Sequence, residues 1–251
     1  MSQDIAFVYE NPNKVVLDAF DMLTASMHIM NNNKEKALRT FTITSCNPEE
    51  GKTSLAISLA FAVARTGWKT LLIDADMRKP SSAKRLSENM YFGLADYLIG
   101  GTGSLNEAIT ETNVSNLSYL SSGLQNKNPI DLLCSKRFEE LMDIIAKHYH
   151  FVFFDTPALN AVVDAELVAA KTDATILVVR NDSTSLHDLK RIKDRLERAY
   201  ATILGVVLNK VNKREYTRYV SSYNYFFNSK RFIKKKKIKD HLTTDDNVVE
   251  S

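Results

Sequence analysis

Five short apolar runs, separated by segments whose apolar residues recur at helical spacing, restrict this chain to an α/β architecture. The runs are TFTIT at 40–44, TLLID at 70–74, FVFFD at 151–155, TILVVR at 175–180 and ILGVVLN at 203–209. Near-continuous apolar runs of this length suit strands buried on both faces, as in a parallel sheet. The expected fold is therefore α/β, a doubly wound and mainly parallel sheet with helices on both faces. Between the first two runs, KTSLAISLAFAVARTG puts Leu55, Leu59, Ala62 and Val63 on one helical face, with Gly67 as terminator. SKRFEELMDIIAKHY and SLHDLKRIKDRLERAY read as later amphipathic helices, and a further helix over about residues 14–30 precedes the sheet.

At 251 residues with 44% hydrophobic content, the chain can build a sizeable core within one α/β domain. The apolar pattern fades after Asn209. The expected organisation is an N-terminal segment and helix over 1–38, a central α/β domain over 39–212, and a flexible tyrosine- and lysine-rich tail over 213–251. Lys and Arg number 33 against 30 Asp and Glu, and a net charge of +3 gives no electrostatic case for nucleic acid. Cys46 and Cys134 have neither metal-ligand nor disulfide-framework spacing, which suits a reducing compartment. No stretch reaches the roughly 18 apolar residues of a membrane span, and MSQDIAFVYENPNK lacks a signal-peptide layout, so a cytoplasmic location is expected.

The sequence SCNPEEGKTS at 45–54 joins the first strand to the first long helix of the sheet. A strand, a tight turn and a helix start together point backbone N–H groups and the positive helix end at one anion. Gly51 allows close backbone approach, Lys52 reaches the outer phosphates of a nucleotide, and the Thr53 hydroxyl is placed to ligate Mg²⁺. The nucleotide-binding set read from the loop is Asn47, Glu49, Glu50, Gly51, Lys52, Thr53 and Ser54. Two features set the loop apart from G-x-x-x-x-G-K-[ST]. Cys46 replaces the first glycine, and Glu49 is a carboxylate that must point outward if phosphates are to bind.

LLIDADMR reads as a buried strand ending with Asp74 and Asp76, alternate residues on the same side, with Arg78 close behind. FVFFDTP is a second strand ending in a carboxylate, Asp155, a residue type that supports a nucleotide-bound Mg²⁺. One strand-end Asp is commonly a helix cap, but these carboxylates and the phosphate loop all fall where open α/β sheets bind ligands.

With these motifs in hand, residues 39–212 resemble the bacterial protein-tyrosine kinases of capsule and exopolysaccharide systems, within the MinD/ParA-like group of P-loop proteins. The resemblance rests on TSCNPEEGKTS, on LLIDADMRKP as a second Walker A-like motif and on FVFFDTPALNAVVDAELVA as Walker B. NPIDLLCSKRFEEL, ILVVRNDST and LGVVLNKV support it. It implies a P-loop NTPase fold and phosphoryl transfer from ATP with Mg²⁺. Lys52 would neutralise the phosphates, Thr53, Asp76 and Asp155 would hold the metal, Asp74 would be the base, and Asn209 would contact adenine. Tyr216, Tyr219, Tyr223 and Tyr225 then correspond to an autophosphorylated tail, the chain's own or a neighbour's.

The resemblance also implies a partner, the cytoplasmic part of a membrane adaptor of the polysaccharide co-polymerase type, which would hold the kinase at the inner face of the membrane. In the N-terminal helix, Asp18, Asp21 and Thr24 stand where the family carries the Glu and two Arg of its ring-assembly motif. A monomer or weak assembly is therefore expected in place of a stable ring. Walker B ends in Pro157-Ala158 where the family has two prolines. The lysine run Lys234–Lys237 beside Phe226, Phe227 and Phe232 is a solvated end or a contact for an anionic membrane surface. Two other classes remain open on sequence alone: a switch ATPase whose acceptor is water, and a non-catalytic nucleotide-binding subunit.

Overall fold

The computed structural model describes residues 14–32, 37–78, 92–100, 104–123, 128–181 and 183–212. The chain divides after Lys210, and the account that follows is of the first unit. Seven strands form one sheet in the order β3-β4-β2-β5-β1-β6-β7. They are β1 (Thr40–Ser45), β2 (Thr70–Asp74), β3 (Ile109–Glu111), β4 (Leu117–Leu120), β5 (Phe151–Asp155), β6 (Ala174–Arg180) and β7 (Ile203–Asn209). All neighbours pair in parallel except β3 with β4.

The five apolar runs are the five longest strands, and four of them form the buried centre of the sheet. β7 is an edge strand, where Val206 and Leu208 are exposed. β3 and β4 were not foreseen. ITE and LSYL are three and four residues long, too short to show a period, and the sheet recruits them through pairing with β2 and with each other.

The strands present successive side chains to opposite faces, and each face has its own core. On one face Phe41, Ile43, Leu72, Phe153, Ile176 and Val178 pack with Leu55, Leu59 and Val63 of α2 (Lys52–Arg65). Phe20, Leu23 and Met27 of α1 (Lys14–Asn32) close that layer from outside, at the three- and four-residue spacing that keeps them on one stripe. His28 of α1 also lies 5.3 Å, centroid to centroid, from Trp68 and 5.6 Å from Phe151. On the other face Leu71, Ile73, Val152 and Phe154 pack beneath Leu94 and Leu98 of α3 (Leu94–Ile99), and beneath Phe138, Leu141 and Ile145 of the helix over Lys136–His148. A third cluster joins Leu177 and Val179 to Ile192 and Leu196 of the helix over Leu186–Arg198.

At about 25 cal/mol per Å² of buried apolar surface, these two layers hold the central strands firmly, so their carboxyl ends are fixed points. Of the three N-terminal positions compared with the ring-assembly motif, Asp21 is exposed, Asp18 is half-buried and Thr24 is buried within the chain itself. Among the described residues no helix is long and apolar enough to cross a membrane.

Candidate active site

The sheet order puts β2, β5 and β1 side by side, so their carboxyl ends converge. β1 delivers the loop, β2 delivers Asp74 and β5 delivers Asp155, and Asp74 stands directly opposite Asp155 in the parallel register. Each carboxylate is only 4% exposed. The sequence reading put Asp76 on the strand with Asp74. The strand instead ends at Asp74, whose Oδ1 accepts the Asp76 N–H at 3.0 Å and turns the chain over the sheet edge. The Ala75 N–H donates to the Asp155 carbonyl at 2.8 Å, so both loops are tied together at the site.

Gly51 caps α2 in the left-handed region, with φ of 96°, and its carbonyl takes the Leu55 N–H at 3.0 Å. A Cβ there would lie 2.1 Å from Asn209 Nδ2, so glycine is required by conformation and by space. The first N–H groups of α2, from Lys52 onward, have no acceptor within their own helix, an arrangement suited to an anion. Lys52 and Thr53 are half-buried and Ser54 is exposed.

Of the two acidic loop residues, Glu50 is an internal brace. Glu50 is 2% exposed; its Oε2 accepts the Asn47 N–H at 3.0 Å, and its Oε1 accepts Asn47 Nδ2 at 3.3 Å and the Thr184 hydroxyl. Glu49 is exposed and its carbonyl accepts Lys210 Nζ at 2.8 Å. Asn209 donates from Nδ2 to the Glu50 carbonyl at 2.9 Å and accepts the Lys210 N–H on Oδ1 at 2.8 Å. The Asn209 amide thus braces the loop backbone, a role not read from sequence, where it was set against adenine. Asn160 extends the network, donating to Asn47 Oδ1 at 2.9 Å and accepting from Arg191 at 3.1 Å. Thr184, Asn160, Arg191 and Lys210 were not singled out from sequence, because only the fold brings the later loops against residues 47–51.

Glu49 also carries φ of 63°, a left-handed conformation that favours glycine. A left-handed non-glycine residue costs about 1–2 kcal/mol. Glu49→Gly is expected to stabilise the protein by about 1 kcal/mol after the extra chain entropy of glycine is counted, a rise of roughly 2–4 °C in Tm. It also removes a negative charge from the loop that faces phosphate, so nucleotide affinity should rise. Thermal melts with a nucleotide titration check this, and a lowered Tm would contradict it.

Burial pushes the Asp155 carboxyl up to about 7, against the pull of its hydrogen bond to Thr53 and of the Lys52 ammonium, while Asp76 adds to the rise. Asp155 Oδ1 is buried without a hydrogen-bond partner. An orphaned carboxylate oxygen beside a threonine hydroxyl is the oxygen-donor environment a hard divalent cation takes, and the cation would reverse the burial penalty. Among the described residues no three His, Cys, Asp or Glu side chains converge as a self-contained cage. That suits Mg²⁺, which keeps waters and completes its shell with substrate phosphates. The residues present therefore fit the ion.

Arg78 makes a bidentate ion pair with Asp164, Nε to Oδ2 at 2.7 Å and Nη2 to Oδ1 at 2.9 Å. Asp164 starts the short helix Asp164–Ala169 and is fully buried, so the pair fastens the segment after β2 to the one after β5. A buried aspartate in VVDAELVA needs a cationic partner, a signal the sequence contained. Cys46 is buried and its thiol is pushed up to about 12, first by burial and then by Glu50, so it is an inert strand-end residue. Tyr216, Tyr219, Tyr223 and Tyr225 lie outside the described residues, as do the last two residues of DADMRKP.

Residues 38–209 match the family model described as AAA domain. The chain is 37% identical over 176 residues to a tyrosine-protein kinase, CpsD, of Streptococcus pneumoniae serotype 4, covering 70% of this chain and 77% of that protein. It is 32% identical over 223 residues to a putative tyrosine-protein kinase, CapB, of Staphylococcus aureus, covering 88% and 94%. Among solved structures, the kinase domain of the Escherichia coli tyrosine kinase ETK superimposes with a TM-score of 0.76 at 31% identity, over 82% of this chain and 79% of that one.

Proposed function

From the premise that this chain belongs to the bacterial tyrosine-protein kinases of the AAA-domain P-loop class, we propose that it transfers the terminal phosphoryl group of Mg-ATP to tyrosines of its own tail. The observation that carries this reading is the convergence, at one sheet edge, of the Gly51–Lys52–Thr53 cradle with the Asp74 and Asp155 carboxylates.

In the proposed mechanism the N–H groups at the start of α2 and the Lys52 ammonium hold and neutralise the phosphates. Mg²⁺, held by Thr53, Asp76 and Asp155, would supply Lewis-acid neutralisation of the phosphate oxygens. A tyrosine hydroxyl has a pKa near 10 and attacks poorly until its proton is accepted, and Asp74 is assigned that role. The transition state is loose, so positioning by the rigid sheet edge outweighs the strength of the base. Glu50, Asn47, Thr184 and Asn209 keep the loop in its binding shape.

The acceptors proposed are Tyr216, Tyr219, Tyr223 and Tyr225, the activator is the cytoplasmic tail of a membrane adaptor, and the process served is capsular or exopolysaccharide synthesis. Each phosphate would add about −1.5 to −2 charges beside Lys230, Arg231 and Lys234–Lys237 and cancel the basic character of the tail. Changing all four tyrosines to Phe is expected to remove most phosphotyrosine while leaving ATP affinity unchanged. Phosphotyrosine mapping with a binding titration checks it, and an undiminished signal would contradict it.

A further inference from the structure

Four tyrosines fall among the described residues, and three of them, Tyr97, Tyr119 and Tyr149, are buried. Tyr200 is 93% exposed. It follows Ala199, the C-cap of the helix Leu186–Arg198, and has φ of 58°. That C′ position favours glycine because an L side chain there is strained. Its N–H closes the helix on the Glu197 carbonyl at 3.0 Å, but the ring has no packing role in the fold. A strained position therefore carries a large aromatic side chain in solvent, with its hydroxyl presented at the tip of a tight turn. Asp194, Glu197 and Arg198 border an open hollow beside it.

We propose that Tyr200 is a phosphoryl acceptor within the folded domain, used by a second copy of the chain. The proposal rests on the kinase reading above. The topology decides between self and neighbour. Tyr200 precedes the first residue of β7, at the amino edge of the sheet, whereas the phosphate loop and Asp74 sit at the carboxyl edge. Seven-residue strands separate those edges by roughly 20 Å, far beyond the reach of one side chain. Transfer to Tyr200 must therefore be intermolecular, with the amino edge of one copy presented to the carboxyl edge of another. In the step, a bond forms between Tyr200 Oη and the γ-phosphorus of ATP as the bond from that phosphorus to the β,γ-bridging oxygen breaks. ADP leaves, and the phenolic proton passes to Asp74 of the donor copy and then to water.

The test mixes a wild-type donor with an acceptor chain that carries Lys52→Met and Phe at the four tail tyrosines, in Mg-ATP with the adaptor tail, and maps phosphotyrosine on both by mass. The expected result is phosphotyrosine at Tyr200 of the acceptor, at a rate that rises with donor concentration. It should fall to background when the acceptor also carries Tyr200→Phe, with an unchanged melting temperature. A donor phosphorylated on its own tail beside an acceptor unmodified at Tyr200 overturns this proposal and leaves the kinase reading standing. Absence of phosphotyrosine from both chains overturns both. If Tyr200 stays unmodified in the acceptor but Tyr200→Phe in an otherwise wild-type chain slows phosphorylation of that chain's tail, the residue is a docking anchor and the acceptor assignment fails.

Discussion

Lys52→Met is expected to abolish nucleotide binding or turnover while leaving the fold intact. Lys52 is the first residue of α2, half-buried at the mouth of the loop, and takes no part in the hydrophobic clusters on either face of the sheet. Methionine keeps the length and helix propensity of the side chain and removes only its charge. Loss of one preorganised group aimed at developing negative charge typically lowers turnover about 10²–10³-fold. ATP titration and steady-state turnover, with circular dichroism to confirm folding, measure this. A folded variant with unchanged affinity and turnover would contradict the assignment of the loop.

Asp74→Asn is expected to separate binding from transfer. The substitution is nearly isosteric, and the amide oxygen can still accept the Asp76 N–H that closes the turn after β2, so the site should keep its shape. It removes the proton acceptor, and general-base catalysis is commonly worth about 10²–10⁴-fold. It also removes one of two carboxylates that stand opposite each other across β2 and β5, so repulsion toward nucleotide phosphates falls and affinity should hold or rise. Single-turnover transfer and equilibrium binding measured on the same variant test both halves. Transfer at the wild-type rate would place the base elsewhere.

The sheet was legible because its buried strands are written as apolar runs, and the loop because a strand, a glycine and a helix start must occur in that order. Asp74 and Asp155 could be placed at strand ends by counting. What could not be read was how distant loops meet. Arg78 with Asp164, Glu50 with Thr184 and Asn209 with the Glu50 carbonyl are 86, 134 and 159 residues apart in the chain. No local period encodes such pairs. Glu49 looked like an obstacle to an anion, and Glu50 like a nucleotide contact, because sequence gives charge without direction. The structure turns one carboxylate inward as a brace and leaves the other exposed on a left-handed residue. The short strands β3 and β4 escaped because pairing, and no pattern of their own, makes them strands.

The most direct test follows the γ-phosphate itself. Wild-type protein is incubated with γ-labelled Mg-ATP and the adaptor tail, and the label is partitioned between tyrosine and free phosphate. The kinase account predicts label on Tyr216, Tyr219, Tyr223 and Tyr225, appearing faster than phosphate is released to water. Release of phosphate at the same rate by wild type and by the tyrosine-free tail variant, with no phosphotyrosine in either, would contradict it and make water the acceptor.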